Sequence, residues 1–170
     1  MIEGAMHHQE YKILQYWAKE KKQILEIGSW YGASTRAMAD VTSGVIYAVD
    51  NWKANEMYPT AAQNNGDYSF MQFCINNGDH IRSGKIIPIR MSSTNANWVF
   101  NMLGMKFDMV FIDGDHSYEA VKADIMGAKC NLAEGGILCG HDYPFPGVMR
   151  AVSELIPARG VQGTDIWYMA

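Results

Sequence analysis

Carboxylate and imidazole side chains are concentrated directly after two apolar runs of the sequence, at residues 107–112 and 137–139. The first group is Asp113, Asp115 and His116, and the second group is His141 and Asp142. Three carboxylates and two imidazoles in one region can hold a divalent cation or supply a general base. Neighbouring parallel strands lie about 4.8 Å apart, so adjacent strand ends would bring the two groups together. The sequence therefore predicts a chemical centre here.

A glycine-containing segment follows an earlier apolar run and is typical of a ligand-binding loop. Gly28 permits a tight turn, Gly32 lets the chain pass close to a ligand, and Ser34 or Thr35 can cap the helix that follows. Asp50 comes 22 positions after Gly28, at the end of the next apolar run. Nucleotide-binding folds use an acid at about this spacing to accept the ribose hydroxyls. The pairing predicts a nucleotide or nucleoside cofactor.

The composition of this loop favours one cofactor class. A pyrophosphate ligand favours a second glycine that clears space for phosphate, whereas this loop carries the bulky Trp30 and Tyr31. Glu26 adds a negative charge beside the loop, which disfavours a diphosphate. S-adenosylmethionine has no phosphate, and its ammonium and sulfonium groups favour nearby acids and polar oxygens. We therefore expect S-adenosylmethionine rather than a nicotinamide dinucleotide.

Apolar runs of strand length alternate with helix-length amphipathic segments along the whole chain. The predicted strands are residues 23–27, 45–49, 85–89, 107–112, 137–139 and 166–169, with a few more residues around Val161. The predicted helices are residues 11–20, 34–40, 68–75, 96–103, 118–133 and 148–156, and Gly135-Gly136 is expected to end the fifth of them. This alternation predicts a doubly wound α/β fold of the Rossmann type, with a parallel sheet covered by helices on both faces. Ligands of such folds bind beyond the carboxyl ends of the strands.

Length and composition limit the class of protein. The 170 residues, of which 48% are hydrophobic and 19% charged, predict one ordered domain over residues 1–170 with a helix inside residues 1–22. A net charge of −4 without a basic patch argues against nucleic acid, and no apolar run is long enough for a membrane span. Three unpaired cysteines favour a reducing, cytoplasmic setting. A small-molecule substrate is the expected partner, and the small size and sheet edges are compatible with a homodimer.

Four segments together resemble the class I S-adenosylmethionine-dependent methyltransferases. ILEIGSWYGASTRAMA is similar to their first motif, and IYAVDNW is similar to the segment that carries their second-strand acid. FDMVFIDGDHSYEAVKADI followed by GGILCGHDYPFPGVMRAV resembles the small-molecule O-methyltransferases, including the macrocin-type, catechol-type and cephalosporin hydroxylase families. The resemblance runs from about residue 24 to the C-terminus. It implies a mostly parallel sheet with an antiparallel last strand, and methyl transfer to a small hydroxylated acceptor such as a sugar or a secondary metabolite.

The resemblance also implies roles for the residues of the loops. Those assigned to the cofactor are Glu26, Gly28, Ser29, Gly32, Ser34, Thr35, Asp50, Asn51, Trp52, Ser92, Ser93, Asp113 and His116. The backbone at the two glycines would run close to the methionine part of the cofactor, and Glu26 would support the amino group of that part through the loop or water. Asp50 would bind the ribose hydroxyls, while Asn51 or Trp52 would flank the adenine. Ser92 or Ser93 would lie near the adenine edge.

In the metal-dependent members that the chain resembles, Mg²⁺ is held at the positions of Asp113, His141 and Asp142. Magnesium prefers oxygen ligands, whereas imidazole suits Mn²⁺ or softer metals. Either the metal is softer than Mg²⁺, or Asp115 replaces His141. The metal would hold the acceptor hydroxyl and lower its pKa. We predict His116 as the general base, because neutral imidazole accepts a proton near pH 7, and we count Asp113 with it as a catalytic residue.

Two other classes use the same fold. A nicotinamide-dependent oxidoreductase should carry a Tyr-x-x-x-Lys pair for proton relay. It should also carry a glycine close behind Gly28 to make room for the diphosphate, where this loop has Trp30 and Tyr31. A non-catalytic adenosyl-ligand-binding module should lack the acid and histidine cluster, which is present. In a purely structural alternative, Asp113 caps a helix, while His116 and His141 only make hydrogen bonds.

Residues 53–66 are polar and rich in Asn, Ala and Gly, and they form either a lid or a surface loop.

Overall fold

A computed structural model of the chain describes Ile2 and residues 6–53 and 67–169. The segment predicted as a lid or surface loop, 53–66, lies outside the described residues except for Lys53. Of the described helices, none is long and apolar enough to cross a membrane.

In the part of the chain that the structure describes, seven strands form one sheet in the order β3-β2-β1-β4-β5-β7-β6. The strands are β1 (Gln23–Ile27), β2 (Val45–Asp50), β3 (Ile86–Arg90), β4 (Phe107–Ile112), β5 (Leu132–Gly140), β6 (Ala158–Gly160) and β7 (Trp167–Met169). The first five run parallel, and β7 lies antiparallel between β5 and β6. The predicted fold class, including the antiparallel last strand, is confirmed. The point where the strand order reverses lies between β1 and β4, as in other doubly wound sheets.

Within the described residues, seven helices cover the two faces of the sheet. They are α1 (His8–Ala18), α2 (Ala33–Ala39), α3 (Asp67–Asn76), α4 (Gly78–Arg82), α5 (Ser93–Met102), α6 (Tyr118–Asn131) and α7 (Pro146–Leu155). Because successive strand residues point to opposite faces, Leu25 and Ile27 pack with α5, α6 and α7, whereas Ile24 packs with α1, α2 and α3. Glu26 shares the face of Ile24, which directs its carboxyl towards α2.

The helix before β5 ends differently from the prediction. Gly135-Gly136 does not cap it, because α6 already ends at Asn131 and β5 begins at Leu132. The glycine pair lies instead inside an irregularity of β5, between the partner of Phe107 and the partner of Met109 on β4. Gly135 has φ 71°, a conformation that glycine adopts without strain, so the pair allows the strand to bulge. The short α4 was not predicted.

Candidate active site

A cavity of about 390 Å³ opens at the carboxyl ends of β1, β2 and β4. This volume lies within the range of small-molecule sites. Thirteen of the residues predicted for the site line it: Gly28, Ser29, Gly32, Ser34, Asp50, Asn51, Trp52, Ser92, Ser93, Asp113, Asp115, His116 and Asp142. Glu26, Thr35 and His141 stand behind this lining rather than in it. The fold thus brings the loop residues and the acid and histidine cluster to one space.

Glu26 organises the loop after β1 from beneath. Its fully buried carboxylate accepts hydrogen bonds from the hydroxyls of Ser29, at 2.8 Å, and Ser34, at 2.6 Å, and another from Thr35. Burial raises the pKa of Glu26 to about 7, although the three hydroxyl donors oppose this rise. The prediction that Ser34 or Thr35 caps α2 was wrong. Gly32 precedes α2 with a left-handed φ of 83°, and both hydroxyls are engaged by Glu26.

Asp50 joins the loops that follow β1 and β2. Its Oδ2 accepts the backbone N–H groups of Ser29, at 3.0 Å, and Trp30, at 2.8 Å, while its Oδ1 accepts that of Trp52, at 2.7 Å. A carboxylate has acceptor capacity for roughly four hydrogen bonds, so these three leave capacity for one donor from a ligand. The chain itself therefore fixes the orientation of this carboxylate.

The two loop glycines permit close contacts of different kinds. A Cβ on Gly28 would lie 2.1 Å from the carbonyl oxygen of Asp113, so glycine lets the loops after β1 and β4 touch. A Cβ on Gly32 would lie 2.1 Å from Nδ2 of Asn77 and 2.8 Å from the ring of Phe73. Gly32 borders the cavity, yet its steric requirement comes from side chains of the protein.

Trp52 forms a wall of the cavity and is 2% exposed. Its indole Nε1 donates to the carbonyl oxygen of Trp30 at 2.7 Å, and its ring packs against Phe70 and Phe73 with centroids 4.8 and 5.1 Å apart. Its backbone has φ 53°, which is uncommon for a bulky residue and is held by these contacts. The rigid aromatic surface is suited to stacking against a planar ligand group.

His116 and Asp142 form a hydrogen-bonded dyad at the ends of β4 and β5. His116 Nε2 lies 2.7 Å from Oδ2 of Asp142, and the imidazole packs against Phe145 with ring centroids 4.8 Å apart. The hydrogen bond to Asp142 raises the pKa of His116, while burial acts in the opposite direction. Asp142 has φ 58°, so its backbone is held in a strained conformation that places the carboxylate between two imidazoles.

His141 lies at the centre of the acidic cluster, with its side chain 5% exposed. Its Nδ1 is 3.2 Å from Oδ1 of Asp142 and 3.7 Å from Oδ1 of Asp113, and its Nε2 is 3.2 Å from Oε2 of Glu10. Burial alone would lower the pKa of His141, but Asp142 and the charges of Asp113 and Glu10 raise it to about 9. An imidazolium here compensates the surrounding carboxylates. The contact of Nε2 with Glu10 is not aligned as a hydrogen bond.

The carboxyls of the cluster respond to burial and to one another. Burial raises the pKa of Asp113 to about 7, and the negative charge of Asp142 adds to this rise. Burial would also raise the pKa of Asp142, but hydrogen bonds from His116 and His141 lower it well below its ordinary value. At neutral pH the ionised Asp142 is therefore the acceptor on which both imidazoles converge.

Two carboxylates and one imidazole of the cluster fit a divalent cation that binds nitrogen as well as oxygen ligands. Asp113, His141 and Asp142 each offer a ligand atom, and these atoms lie within 4.8 Å of one another. Carboxylate oxygens suit Mg²⁺ and Mn²⁺, and the imidazole shifts the preference towards Mn²⁺. A histidine must be unprotonated to ligate, so a cation would displace the proton that the carboxylates hold on His141.

Some residues of the site were missed by the sequence analysis, and three of them carry ionisable groups. Glu10 contacts His141 from α1, and Tyr11 and Asp124 line the cavity. A signal for Glu10 exists, because it precedes Leu14 and Ala18 by four and eight positions and so shares their buried helix face. For Asp124, the signal is an acid in the middle of the helix that follows the motif richest in acids and histidine.

A Tyr-x-x-x-Lys spacing does occur in the chain, at Tyr118 and Lys122. Neither side chain lines the cavity. The Tyr118 hydroxyl donates to Glu154 of α7 at 2.6 Å and also accepts a hydrogen bond from Lys122 at 3.4 Å. The pair belongs to a surface contact between α6 and α7, so it gives no support to an oxidoreductase.

Solved structures similar to this chain share its architecture at low identity. An O-methyltransferase from Bacillus cereus in complex with S-adenosylhomocysteine is 19% identical with TM-score 0.71, covering 97% of this chain and 81% of its own. The O-methyltransferase TomG from Streptomyces achromogenes is 14% identical with TM-score 0.72, covering 98% and 81%. Precorrin-8w decarboxylase from Methanobacterium thermoautotrophicum is 12% identical with TM-score 0.69, covering 99% and 93%. At these identities the likeness establishes the fold.

Family membership rests on the sequence. A comparison with curated protein sequences finds no significant match. Residues 25–143 match the family described as "Methyltransferase domain". This match spans more than half of the chain and includes the Gly28 loop, Asp50 and the whole acid and histidine cluster. The chain therefore belongs to the methyltransferase-domain family, within the class I S-adenosylmethionine-dependent methyltransferases.

Proposed function

We propose that the protein is an O-methyltransferase that transfers the methyl group of S-adenosylmethionine to a small hydroxylated acceptor, such as a sugar or a secondary metabolite. One observation carries this proposal. The His116–Asp142 dyad, with its 2.7 Å hydrogen bond, faces the same cavity as the Gly28 loop and Asp50. A proton acceptor next to a nucleoside-binding loop is the arrangement that methylation of a hydroxyl group requires.

The cavity lining supports an extended position for the cofactor. Asp50, with acceptor capacity left for one more donor, is suited to a ribose hydroxyl. The Gly28 side of the cavity lies beside Asp113 and leads to the dyad, so the methionine part belongs there. Ser92 and Ser93, at the far side after β3, are left for the adenine edge.

The dyad removes the acceptor proton. When bound, S-adenosylmethionine supplies an electrophilic methyl group on a sulfonium. His116 accepts the proton of the acceptor hydroxyl as the new O–C bond forms, and the electron pair of the broken C–S bond stays on sulfur. Asp142 orients the imidazole and stabilises its protonated form by the same hydrogen bond. Phe145 packs on the imidazole and limits access of water to it.

A divalent cation, if the enzyme uses one, would be held by Asp113, His141 and Asp142. It would supply charge stabilisation for the developing alkoxide of the acceptor. Asp113 and Asp142 line the cavity and would face a substrate, whereas the buried His141 would hold the cation from behind.

Calorimetric titration with S-adenosylhomocysteine tests the cofactor, in buffer with EDTA and in buffer with added Mg²⁺ or Mn²⁺. We expect micromolar binding in every buffer and a separate binding event for Mn²⁺. Methyl transfer from labelled S-adenosylmethionine is then assayed with catechols and sugar nucleotides as acceptors. Absence of S-adenosylhomocysteine binding in all buffers would refute the proposed function. Binding and turnover that are indifferent to metal would refute only the role of the cation.

A further inference from the structure

The second ring nitrogen of His141 faces two acids that the proposed mechanism does not use. Glu10, His141 and Asp165 each place a ligand atom within 4.8 Å of the others, and we call these three residues the rear cluster. They come from α1, from the end of β5 and from the segment before β7. None of the three belongs to the residues that line the cavity. The rear cluster therefore lies outside the site described above and shares only His141 with it.

Nε2 of His141 is a buried polar atom without a hydrogen-bond partner among the described residues. The His141 side chain is 5% exposed, so bulk water does not reach this nitrogen. An unpaired buried polar group costs roughly 1–3 kcal/mol, and an ion bound at the group is one of the few arrangements that removes this cost. The orphaned nitrogen thus points to a ligand in the rear cluster.

The contact between Nε2 and Glu10 has the geometry of two ligands on one metal ion. Zn²⁺ binds histidine nitrogen and carboxylate oxygen at about 2.0–2.2 Å, which places neighbouring ligand atoms about 3.0–3.4 Å apart at octahedral or tetrahedral angles. Nε2 lies 3.2 Å from Oε2 of Glu10. An ion bound to both atoms lies to one side of the line between them, so the nitrogen lone pair need not point at the oxygen. A contact that is close but not aligned as a hydrogen bond is what a shared cation requires.

Both acids of the rear cluster keep capacity for a cation. The Glu10 oxygens accept the backbone N–H groups of His7, at 2.7 Å, and Asp165, at 2.8 Å, which leaves each oxygen a lone pair. Among the described residues, the Asp165 carboxylate has no hydrogen-bond or ion-pair partner, and the Asp165 carbonyl oxygen accepts the N–H of Tyr143 at 3.0 Å. Two carboxylates and a neutral imidazole carry a charge that a divalent cation balances.

The first ring nitrogen of His141 is placed as in metal-binding histidines. Such a histidine binds the metal through one nitrogen and keeps its proton on the other, where a carboxylate commonly accepts it. Nδ1 lies 3.2 Å from Oδ1 of Asp142, so binding at Nε2 leaves the proton facing this carboxylate. A cation in the cavity would then be held by Asp113 and Asp142, two oxygen ligands of the kind that Mg²⁺ prefers.

We propose that Glu10, Nε2 of His141 and Asp165 form a second cation site, which holds Zn²⁺ or a similar first-row transition metal in a structural role. Imidazole together with carboxylates favours Zn²⁺ over Mg²⁺, and the partly exposed Asp165 allows water to complete the coordination. The ion would connect α1 with a segment 155 residues further along the chain. It binds only when these parts are assembled, so it stabilises the folded state. Without the ion, the imidazolium supplies the positive charge of the cluster.

The test measures Zn²⁺ binding by titration calorimetry, after bound metals have been removed with EDTA and the EDTA has been dialysed away. Asp165→Asn should weaken Zn²⁺ binding by at least about tenfold, because a neutral amide replaces a carboxylate ligand. The backbone hydrogen bonds of Asp165 remain in this variant. Asp113→Asn is the matched control, because Asp113 lies 3.7 Å from Nδ1, on the other side of the ring. It should bind Zn²⁺ nearly as tightly as the wild-type protein.

Two further measurements locate the ion and its effect. Zn²⁺ should raise the midpoint of thermal unfolding of the wild-type protein and of Asp113→Asn, and it should raise that of Asp165→Asn much less. Long-range ¹H–¹⁵N spectra of the wild-type protein with Zn²⁺ should show the His141 proton on Nδ1. This spectrum needs no variant, so a folding defect in Asp165→Asn cannot obscure it.

The outcomes that would overturn the second cation site differ from those that bear on methyl transfer. Absence of Zn²⁺ binding to the wild-type protein would overturn it. Loss of binding in Asp113→Asn but not in Asp165→Asn, or a His141 proton on Nε2 with Zn²⁺ present, would place the ion at Nδ1 and overturn it as well. S-adenosylhomocysteine binding in EDTA does not involve this site, so the proposed function stands or fails separately.

Discussion

Oε2 of Glu10 lies 3.2 Å from Nε2 of His141, so the first helix of the chain makes an ion pair with the histidine at the centre of the site. Both carboxylate oxygens of Glu10 are also fixed by the backbone, because Oε1 accepts the N–H of Asp165 at 2.8 Å and Oε2 accepts that of His7 at 2.7 Å. The two backbone N–H groups hold the Glu10 carboxylate in place, and the carboxylate in turn orients the imidazole of His141. The packing of α1 and the orientation of His141 are therefore coupled.

Glu10→Gln should destabilise the protein by about 3 kcal/mol near neutral pH. The amide has one acceptor oxygen where two backbone N–H groups need one each, and it leaves the buried imidazolium without its charged partner on this side. Chemical denaturation of the two proteins measures the difference. Glu20→Gln is the matched control, since Glu20 is an exposed acid just beyond the same helix. An equal effect of the two substitutions would contradict the importance of the ion pair.

The stability difference should depend on pH. Backbone hydrogen bonds hold the pKa of Glu10 below its ordinary 4.5 despite burial, so its contribution is present above pH 4.5 and is lost as the pH falls through the lowered value. The raised pKa of His141, about 9 against 6.5, gives a contribution that is complete below pH 6.5 and is lost as the pH rises through about 9. The difference should be largest between these limits. A difference that is constant from pH 4 to pH 10 would contradict the ion-pair account.

Asp50→Asn should weaken S-adenosylhomocysteine binding by about tenfold or more. One amide oxygen cannot serve the backbone N–H groups of Ser29, Trp30 and Trp52 on both sides, so the loops and the free acceptor position are lost together. Asp108→Asn is the control, because Asp108 also accepts two backbone N–H groups through one oxygen, at the opposite end of the sheet. Titration calorimetry on both variants checks the prediction, and unchanged affinity in Asp50→Asn would refute the ribose assignment.

The sequence predicted the sheet and the place of the site because both depend on local patterns. The apolar runs fixed the parallel strands, and the carboxyl-end rule then placed Asp50, Asp113 and His116 around one cavity. The spacing of Asp50 from Gly28 was informative because it reflects one loop, one helix and one strand of ordinary length.

Other features depend on tertiary contacts that no local pattern contains. Ser34 and Thr35 have the residue types of helix caps, but the buried Glu26 carboxylate takes their hydroxyls. Gly135-Gly136 has the composition of a helix end, yet β5 continues through it with a bulge. Glu10 reaches His141 only because α1 packs near the end of β5, which the chain order does not reveal.

Gly32→Ala should destabilise the protein more than the backbone conformation alone explains. The new Cβ would meet Asn77 at 2.1 Å and Phe73 at 2.8 Å, and φ is 83°. Gly84→Ala isolates the conformational part, since Gly84 has φ 74° and nothing within 4 Å of its Cβ position. We expect about 1 kcal/mol for Gly84→Ala and at least ~2 kcal/mol more for Gly32→Ala, as measured by thermal or chemical unfolding. Equal losses would mean that the loop relaxes away from α3.

His116→Ala should lower the rate of methyl transfer by about 10²–10⁴-fold and leave S-adenosylhomocysteine affinity nearly unchanged. The physical reason is that the substitution removes the proton acceptor but keeps the Gly28 loop and Asp50. His80→Ala is the control, because His80 pairs with Asp40 near α4, away from the cavity. It should leave both quantities unchanged. Equal losses of rate and affinity in His116→Ala would indicate a structural role.

The pH dependence of the rate distinguishes a base from a residue that only positions the acceptor. Since Asp142 raises the pKa of His116 above its ordinary 6.5, the wild-type rate should increase with pH until His116 is deprotonated. In Asp142→Asn the imidazole loses its charged partner, so this rise should move to lower pH. In His116→Ala it should disappear. A profile that is the same in all three proteins would exclude His116 as the base and assign deprotonation of the acceptor to another group.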